Sequence, residues 1–475
     1  MAPASATGSA SDTAGWTSRK GFVLAAIGSA VGLGNLWRFP SEAGANGGGA
    51  FVIFYIGCVV LIGLPLLLSE VLIGRHGRAS AVESARRVAR ESKASRHWSA
   101  LASVGMWGAF IILTFYSVVA GWVLYYVGLF AGDVLANGVG GAFQGQSAEQ
   151  VSGYMGGLFG NAALQIGLHA AFMAVTIYVV MRGVTGGIER IASVLMPAFF
   201  VLLVGITLYS LATGDAGAAF SFLFSFNPER LLHAPVMLSA LGQAFFSLSL
   251  GSAMMIQYGA YANRNTNLAG TSAIIASADT SVAIIAGLAI FPIVFAAGVD
   301  VAAGPTLMFQ ALPVAFQSMP GGALIGLLFF VMVFFAALTS SVALLEASMV
   351  RAMEVFGQSR AVTSIAVGSV IFVVGIGAAM SMSDADFFNP LALLPFFAGQ
   401  NLFDSLDSLS GKILLPLSGL LTAIFIGWFA DRRLIDAENG ISGGMHILWR
   451  FLVAWLCPVA VGLILIFGLF PDLLG

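Results

Sequence analysis

Charge is what this sequence has least of. Lys, Arg, Asp and Glu make up 9% of its 475 residues, against roughly a quarter in ordinary soluble domains, so a large water-solvated fold is excluded. Cysteine is nearly absent as well. Cys58 and Cys457 both stand inside apolar runs, which gives little ground for a disulfide framework or a thiolate metal site. No basic stretch is interleaved with aromatics and the net charge is −2, so nothing points to nucleic acid. Residues 1–18 are small and polar, with no basic stretch leading into an apolar one. They read as a flexible cytoplasmic tail rather than a cleavable signal. The five histidines, His76, His97, His169, His233 and His446, are scattered and no nucleophile–base pair appears, so an intramembrane enzyme is poorly supported.

What is abundant is apolar length. Hydrophobic residues make up 59% of the chain, and segments of about 20 apolar residues are long enough to cross a bilayer. Eleven are found, near 22–44, 49–74, 99–132, 162–181, 190–213, 236–261, 268–298, 322–350, 361–381, 408–430 and 447–470. They predict an all-α polytopic membrane protein whose partner is the lipid bilayer. With the N-terminus inside, 17 of the 20 Lys and Arg fall on the inner side, and only Arg38, Arg230 and Lys412 lie on or face the other. That bias predicts a plasma (inner) membrane protein with a cytoplasmic N-terminus and, eleven being odd, an extracytoplasmic C-terminus. Loop 75–98 reads as a short helix on the inner membrane surface, and 299–322 as a re-entrant or capping hairpin.

Two of these segments are interrupted. GSAVGLGNLWRFP (Gly28–Pro40) breaks the first with glycines, a serine, an asparagine and an arginine; Gln243–Ser252 breaks the sixth with Ser247, Ser249, Gly251 and Ser252. Irregular backbone at membrane depth survives where it lines a cavity or binds a ligand, and paired breaks in corresponding halves point to a transport site. The alternative is that these small residues serve close helix packing. The pairing divides the chain into residues 19–213 and 236–432, two five-helix inverted repeats with discontinuous helices 1 and 6. A loop at 214–235 joins them, and 433–475 adds one further helix.

Ionisable residues inside spans are functional candidates. Glu70 is expected to accept hydrogen bonds from the unpaired N–H groups of a broken helix. Asp279 suits a hard cation that takes oxygen ligands; the alternative is a hydrogen-bonded structural acid. For Glu346 a structural role is favoured. The hydroxyls of Thr339, Ser340 and Ser341 bond their own backbone or complete an oxygen cage. Arg38 with Asp404 or Asp407 forms a reversible outer gate, or else these are interfacial charges that never meet.

These residues carry a resemblance. GSAVGLGNLWRFP with NGGGAF (46–51), FFSLSLG (245–251), LTSS (338–341), GP (304–305), MPGG (319–322) and LFDSLD (402–407) resemble the neurotransmitter:sodium symporters, in their bacterial amino-acid branch, from Trp16 to about Pro458. The resemblance implies two sodium sites. One would use the Ala30 carbonyl, Asn35, Ser247, Asp279 and the substrate carboxylate; the other the Gly28, Val31 and Ala336 carbonyls with Thr339 and Ser340. The substrate carboxylate would meet Leu33, Gly34 and Tyr116, and its ammonium would meet Ala30, Phe246 and Ser249. Ile112, Ser249, Ser252 and Leu344 would line the side-chain pocket, with Ser247 and Ser340 bordering substrate as well as ions. Phe246 and Tyr116 would form the lid, Arg38 and Asp407 the outer gate, and Trp16 and Glu354 the inner one.

The family's inner-gate arginine position is Thr13 here, so Glu354 would pair with Arg19 or Lys20, or the gate would be weak. Glycine at Gly32, where monoamine carriers have Asp, favours a substrate bringing its own carboxylate, hence a neutral and probably hydrophobic amino acid. Ser252 replaces a bulky apolar residue and leaves the pocket's size open. Asp279 supplies a fixed negative charge, so no chloride is expected. The reading is a sodium-coupled symporter working by alternating access; the alternative is a non-transporting amino-acid sensor on the same scaffold. No oligomeric state is implied.

Overall fold

The computed structural model describes residues 15–225, 233–298, 301, 307–384 and 387–470. Most of the 1–18 tail, Thr13, Arg230, the GP pair at 304–305 and parts of the 214–235 and 299–322 loops lie outside the described residues.

Every described element is a helix or a turn. That is what lipid demands of a spanning chain, since helices satisfy their backbone groups internally. The principal helices, in order, are α1 (Arg19–Ala30), α2 (Gly34–Ala45), α3 (Gly49–Gly77), α4 (Ala81–Glu91), α5 (Arg96–Asn137), α6 (Ala162–Met181) and α7 (Val184–Thr213). Then come α8 (Ala234–Ser247), α9 (Met254–Ala260), α10 (Leu268–Ala296), α11 (Leu307–Gln317), α12 (Gly322–Phe356) and α13 (Arg360–Ser383). Last are α14 (Leu402–Phe429), α15 (Arg432–Asn439) and α16 (Gly443–Leu469).

Among the described residues nine helices are long and apolar enough to cross a membrane, and a tenth span results if α1 and α2, bent by 48° at their break, count as one. The apolar α8 is shorter and is followed after six residues by α9. The long α5 and α12 pack along each other at the centre, with α3 against α9, α7 against α10 and α6 against α13.

Both breaks have local causes. Between α1 and α2 the chain leaves helical geometry at Val31 (ψ 108°), and α2 opens with a π-helical turn at Gly34–Arg38, a form that recurs at functional sites. Between α8 and α9, Ser249 (φ 55°), Gly251 (φ 74°) and Ala253 (φ 61°) occupy the left-handed region, which a continuous right-handed helix excludes. A Cβ on Gly251 would come within 2.1 Å of the Leu415 carbonyl oxygen; the close approach of α14 therefore requires glycine. α11 buries Phe309 and Phe316 against α5, their rings 5.5 Å from Tyr126 and 5.9 Å from Phe130 respectively.

Candidate functional site

The two breaks face each other. Freed main-chain groups are taken up by side chains, as buried polar backbone requires. The Gly32 N–H donates to Asn35 Oδ1 (3.1 Å), the Leu33 N–H to the Tyr116 hydroxyl (3.4 Å), and Gln243 Nε2 to the Gly34 carbonyl (2.8 Å). At the second break the Gly251 N–H donates to Glu70 Oε1 (2.7 Å), the partner expected for Glu70. Ser252 Oγ donates to the Ser249 carbonyl, and Ser249 Oγ reaches the Ser29 carbonyl (3.4 Å).

Between the breaks lies a cavity of about 40 Å³. The structure brings Ala30, Leu33, Gly34, Ile112, Tyr116, Phe246, Ser249, Ser252, Ser340 and Leu344 to its wall, joined by Gly32, Met254 and Leu415. Ser247 does not line it; its hydroxyl sits 3.2 Å from that of Tyr55.

Two oxygen-rich clusters flank the first break. In one, Asn35 Nδ2 donates to Asp279 Oδ1 (2.7 Å) and to the Asp279 carbonyl (3.0 Å), and the Tyr55 hydroxyl reaches Asp279 Oδ2 (3.4 Å). In the other, Ser340 Oγ donates to the Gly28 (3.3 Å) and Val31 (3.2 Å) carbonyls, while Thr339 Oγ1 donates to the Ala336 carbonyl (3.1 Å). Among the described residues no group of three or more His, Cys, Asp or Glu is placed to hold a metal ion. Carbonyls, hydroxyls, an amide and one carboxylate make a donor set for hard cations rather than for zinc or copper.

The residues expected to form gates are arranged unevenly. Arg38 and Asp407 line, with Phe246, a second cavity of about 100 Å³, with no ion pair between them. The Arg38 guanidinium instead lies 4.5 Å from the centre of the Phe246 ring, its Nε 3.7 Å from Glu42. At the inner end the buried Trp16 donates from Nε1 to the Tyr258 carbonyl (3.2 Å). Glu354 is held by the Ser80 N–H (2.7 Å), the Ser80 hydroxyl and Arg351 (3.1 Å), not by Arg19 or Lys20. Glu346, fully buried, pairs with Arg360 and accepts from the Tyr261 hydroxyl (2.6 Å).

Sequence reasoning missed Tyr55, Met254 and Leu415, used Gly32 only to infer the substrate class, and named Gln243 only as the edge of a break. A phenol in an otherwise apolar run needs a buried partner, which was the available signal for Tyr55. Nothing local distinguishes Leu415 or Met254 from lipid-facing residues.

The sequence profile of the sodium:neurotransmitter symporter family matches residues 13–135 and 157–471. The chain belongs to that family. The sodium-dependent transporter YhdH of Bacillus subtilis is 34% identical over 458 residues, covering 94% of this chain and 95% of its own. A sodium-dependent transporter of Haemophilus influenzae is 31% identical, covering 96% of this chain and 98% of its own. Among solved structures, that of MhsT in complex with L-phenylalanine superposes with a TM-score of 0.86 at 38% identity, covering 96% of this chain and 99% of MhsT. A symporter family of this kind is a family of multi-pass membrane transporters, not of enzymes.

Proposed function

We propose that the chain is a sodium-coupled symporter of a neutral, apolar amino acid that works by alternating access and without chloride. The observation that carries this reading is the convergence of the two helix breaks on one cavity, lined by Leu33 and Tyr116 together with Phe246, Ser249 and Ser252. A half-helix N-terminus offers N–H groups to an anion, so Leu33 and Gly34 with Tyr116 hold the substrate carboxylate. Carbonyls at Ala30 and Phe246 and the Ser249 hydroxyl take its ammonium. Ile112, Ser252 and Leu344 surround the side chain. The phenylalanine bound by the solved relative supports a large apolar group there, which enters as the walls of the small cavity separate.

Sodium is cargo. One ion is assigned to Ala30, Asn35, Ser247, Asp279 and the substrate carboxylate, the other to Gly28, Val31, Ala336, Thr339 and Ser340. If the first ion shares the carboxylate, sodium and substrate each raise the other's affinity by the same factor. Asp279, already bonded to Asn35 and near Tyr55, supplies in place the negative charge that chloride would otherwise bring. Phe246 and Tyr116 close over the substrate, Arg38 and Asp407 meet above them, and Trp16 with Glu354 secures the inner end. The scaffold is eleven spans: repeats 19–213 and 236–432, a loop at 214–235, the capping segment 299–322 and a final helix in 433–475. The N-terminus is cytoplasmic and the C-terminus extracytoplasmic in the plasma membrane.

Purified protein in liposomes with an imposed sodium gradient tests this. Accumulation of leucine or phenylalanine that is unchanged when gluconate replaces chloride is expected. Binding without accumulation would mean a sensor. Asp279→Asn should lose uptake in chloride-free buffer; full activity there would remove the assigned role of the fixed charge.

A further inference from the structure

We propose that the inner-face pocket between α4 and the start of α5 binds the phosphate of an anionic phospholipid headgroup. The pocket has a volume of about 370 Å³ and is lined by Arg86, Arg96, His97 and Ser99. α4 buries Ala81, Val82, Ala85, Val88 and Ala89 against the protein, which turns Arg86, Arg87 and Arg90 outward. A left-handed Lys93 (φ 55°) ends the connection, and Ser95, accepting from the His97 N–H (3.3 Å), caps the short turn that presents Arg96 and His97.

The charge of this face is unbalanced. From Arg86 to His97 stand five Lys and Arg and one acid, Glu91, and Glu91 is engaged 2.7 Å from His76. Glu83 serves Arg86 (2.9 Å) and Arg87 (3.7 Å). Arg90, Lys93 and Arg96 have no ion pair among the described residues. A planar guanidinium beside a hydroxyl and a ring N–H matches the several acceptor oxygens of a phosphate.

Its level in the bilayer favours lipid over soluble phosphate. Trp98, between Arg96 and the apolar body of α5, packs with its ring tilted, 5.5 Å from Phe425 and 4.7 Å from Phe429. Trp107, Trp428 and Phe429 stand about half exposed on the same end of α5 and α14, and such aromatics collect at headgroup depth. Cytoplasmic-leaflet anionic lipids are drawn to basic segments at this boundary. The site also reaches the transport machinery, because the Ala81 N–H at the start of α4 donates to Gln257 of α9 (3.0 Å) and Ser80 holds Glu354 of α12.

The test uses the full chain in detergent, titrated with short-chain phosphatidylglycerol, and native mass spectrometry of lipids retained on purification. Arg96→Gln should weaken binding about tenfold, the loss of one charge-assisted hydrogen bond, and Arg86→Gln/Arg96→Gln should lose one retained phosphatidylglycerol. Arg433→Gln, on the inner face but outside the pocket, should change neither. Thermal unfolding in phosphatidylcholine nanodiscs checks folding, and Arg96→Lys, which keeps the charge, should fall between wild type and Arg96→Gln. Equal retention in the double variant and in Arg433→Gln would overturn the proposal. So would glycerol 1-phosphate competing as well as the lipid, which would make the ligand a soluble phosphate.

Discussion

Gly32 has no side chain because there is no room for one. A Cβ there would lie 2.6 Å from Ser340 Oγ and 3.0 Å from the Tyr116 hydroxyl, two groups assigned to ion and substrate. Gly32→Ala should therefore cut sodium-driven uptake on the order of tenfold or more, as overpacking of ~1–3 kcal/mol implies, while the protein still folds by thermal unfolding. Unchanged uptake would mean that the wall at Ser340 yields freely. Glu70 is a second residue fixed by one contact. Its carboxylate accepts the buried Gly251 N–H, so Glu70→Leu should destabilise by about 1–3 kcal/mol, the cost of an orphaned buried donor, and Glu70→Gln by much less. A thermal-shift series of the two variants decides.

Among the elements, α15 is tied to the end of α3 by charge. Glu438 takes Arg75 Nε (2.7 Å) and faces His76 Nδ1 (3.3 Å), which sits between it and Glu91. The bond from His76, with help from Arg75 and against partial burial, holds the Glu438 carboxyl below its ordinary value of 4.5. A depressed carboxylate stabilises the fold above its unfolded pKa, and that contribution is lost as pH falls through the folded one. The protection of Arg432–Asn439 amides, measured relative to their intrinsic exchange rates, should thus fall below about pH 4.5 in the wild type, whereas Glu438→Gln should show the lower protection already at neutral pH.

None of this clasp was legible beforehand, because partners 363 residues apart leave no trace in local periodicity. The broken helices were legible, since Gly, Ser and Asn in an apolar run violate the pattern where they stand. Asp279 and Thr339–Ser340 were legible for the same reason, as polar groups where lipid would forbid them. Leu415 was not, since it looks ordinary until the fold brings it to the site, and the phenol of Tyr55 signals only that a buried partner exists, not which one.

For the whole molecule, the distribution of cations is the ground for the proposed topology, which labelling tests. Glu149→Cys, in the loop after α5, should react with a membrane-impermeant maleimide in intact cells. Asp436→Cys, on α15, should react only after permeabilisation. The reverse pattern would invert the proposed topology. The native thiols interfere little, as Cys457 is buried and Cys58 half-buried inside apolar helices.

Ser340 belongs to two structures at once: it bonds the Gly28 and Val31 carbonyls and it forms part of the cavity wall. Under the proposed assignment, the size of the driving ion is felt where the amino acid lies. Lithium, which demands shorter contacts than sodium, would draw Ser340 toward those carbonyls and reshape the wall. The order in which competing amino acids are preferred should then change with the driving cation, and not merely the rate at which all of them enter.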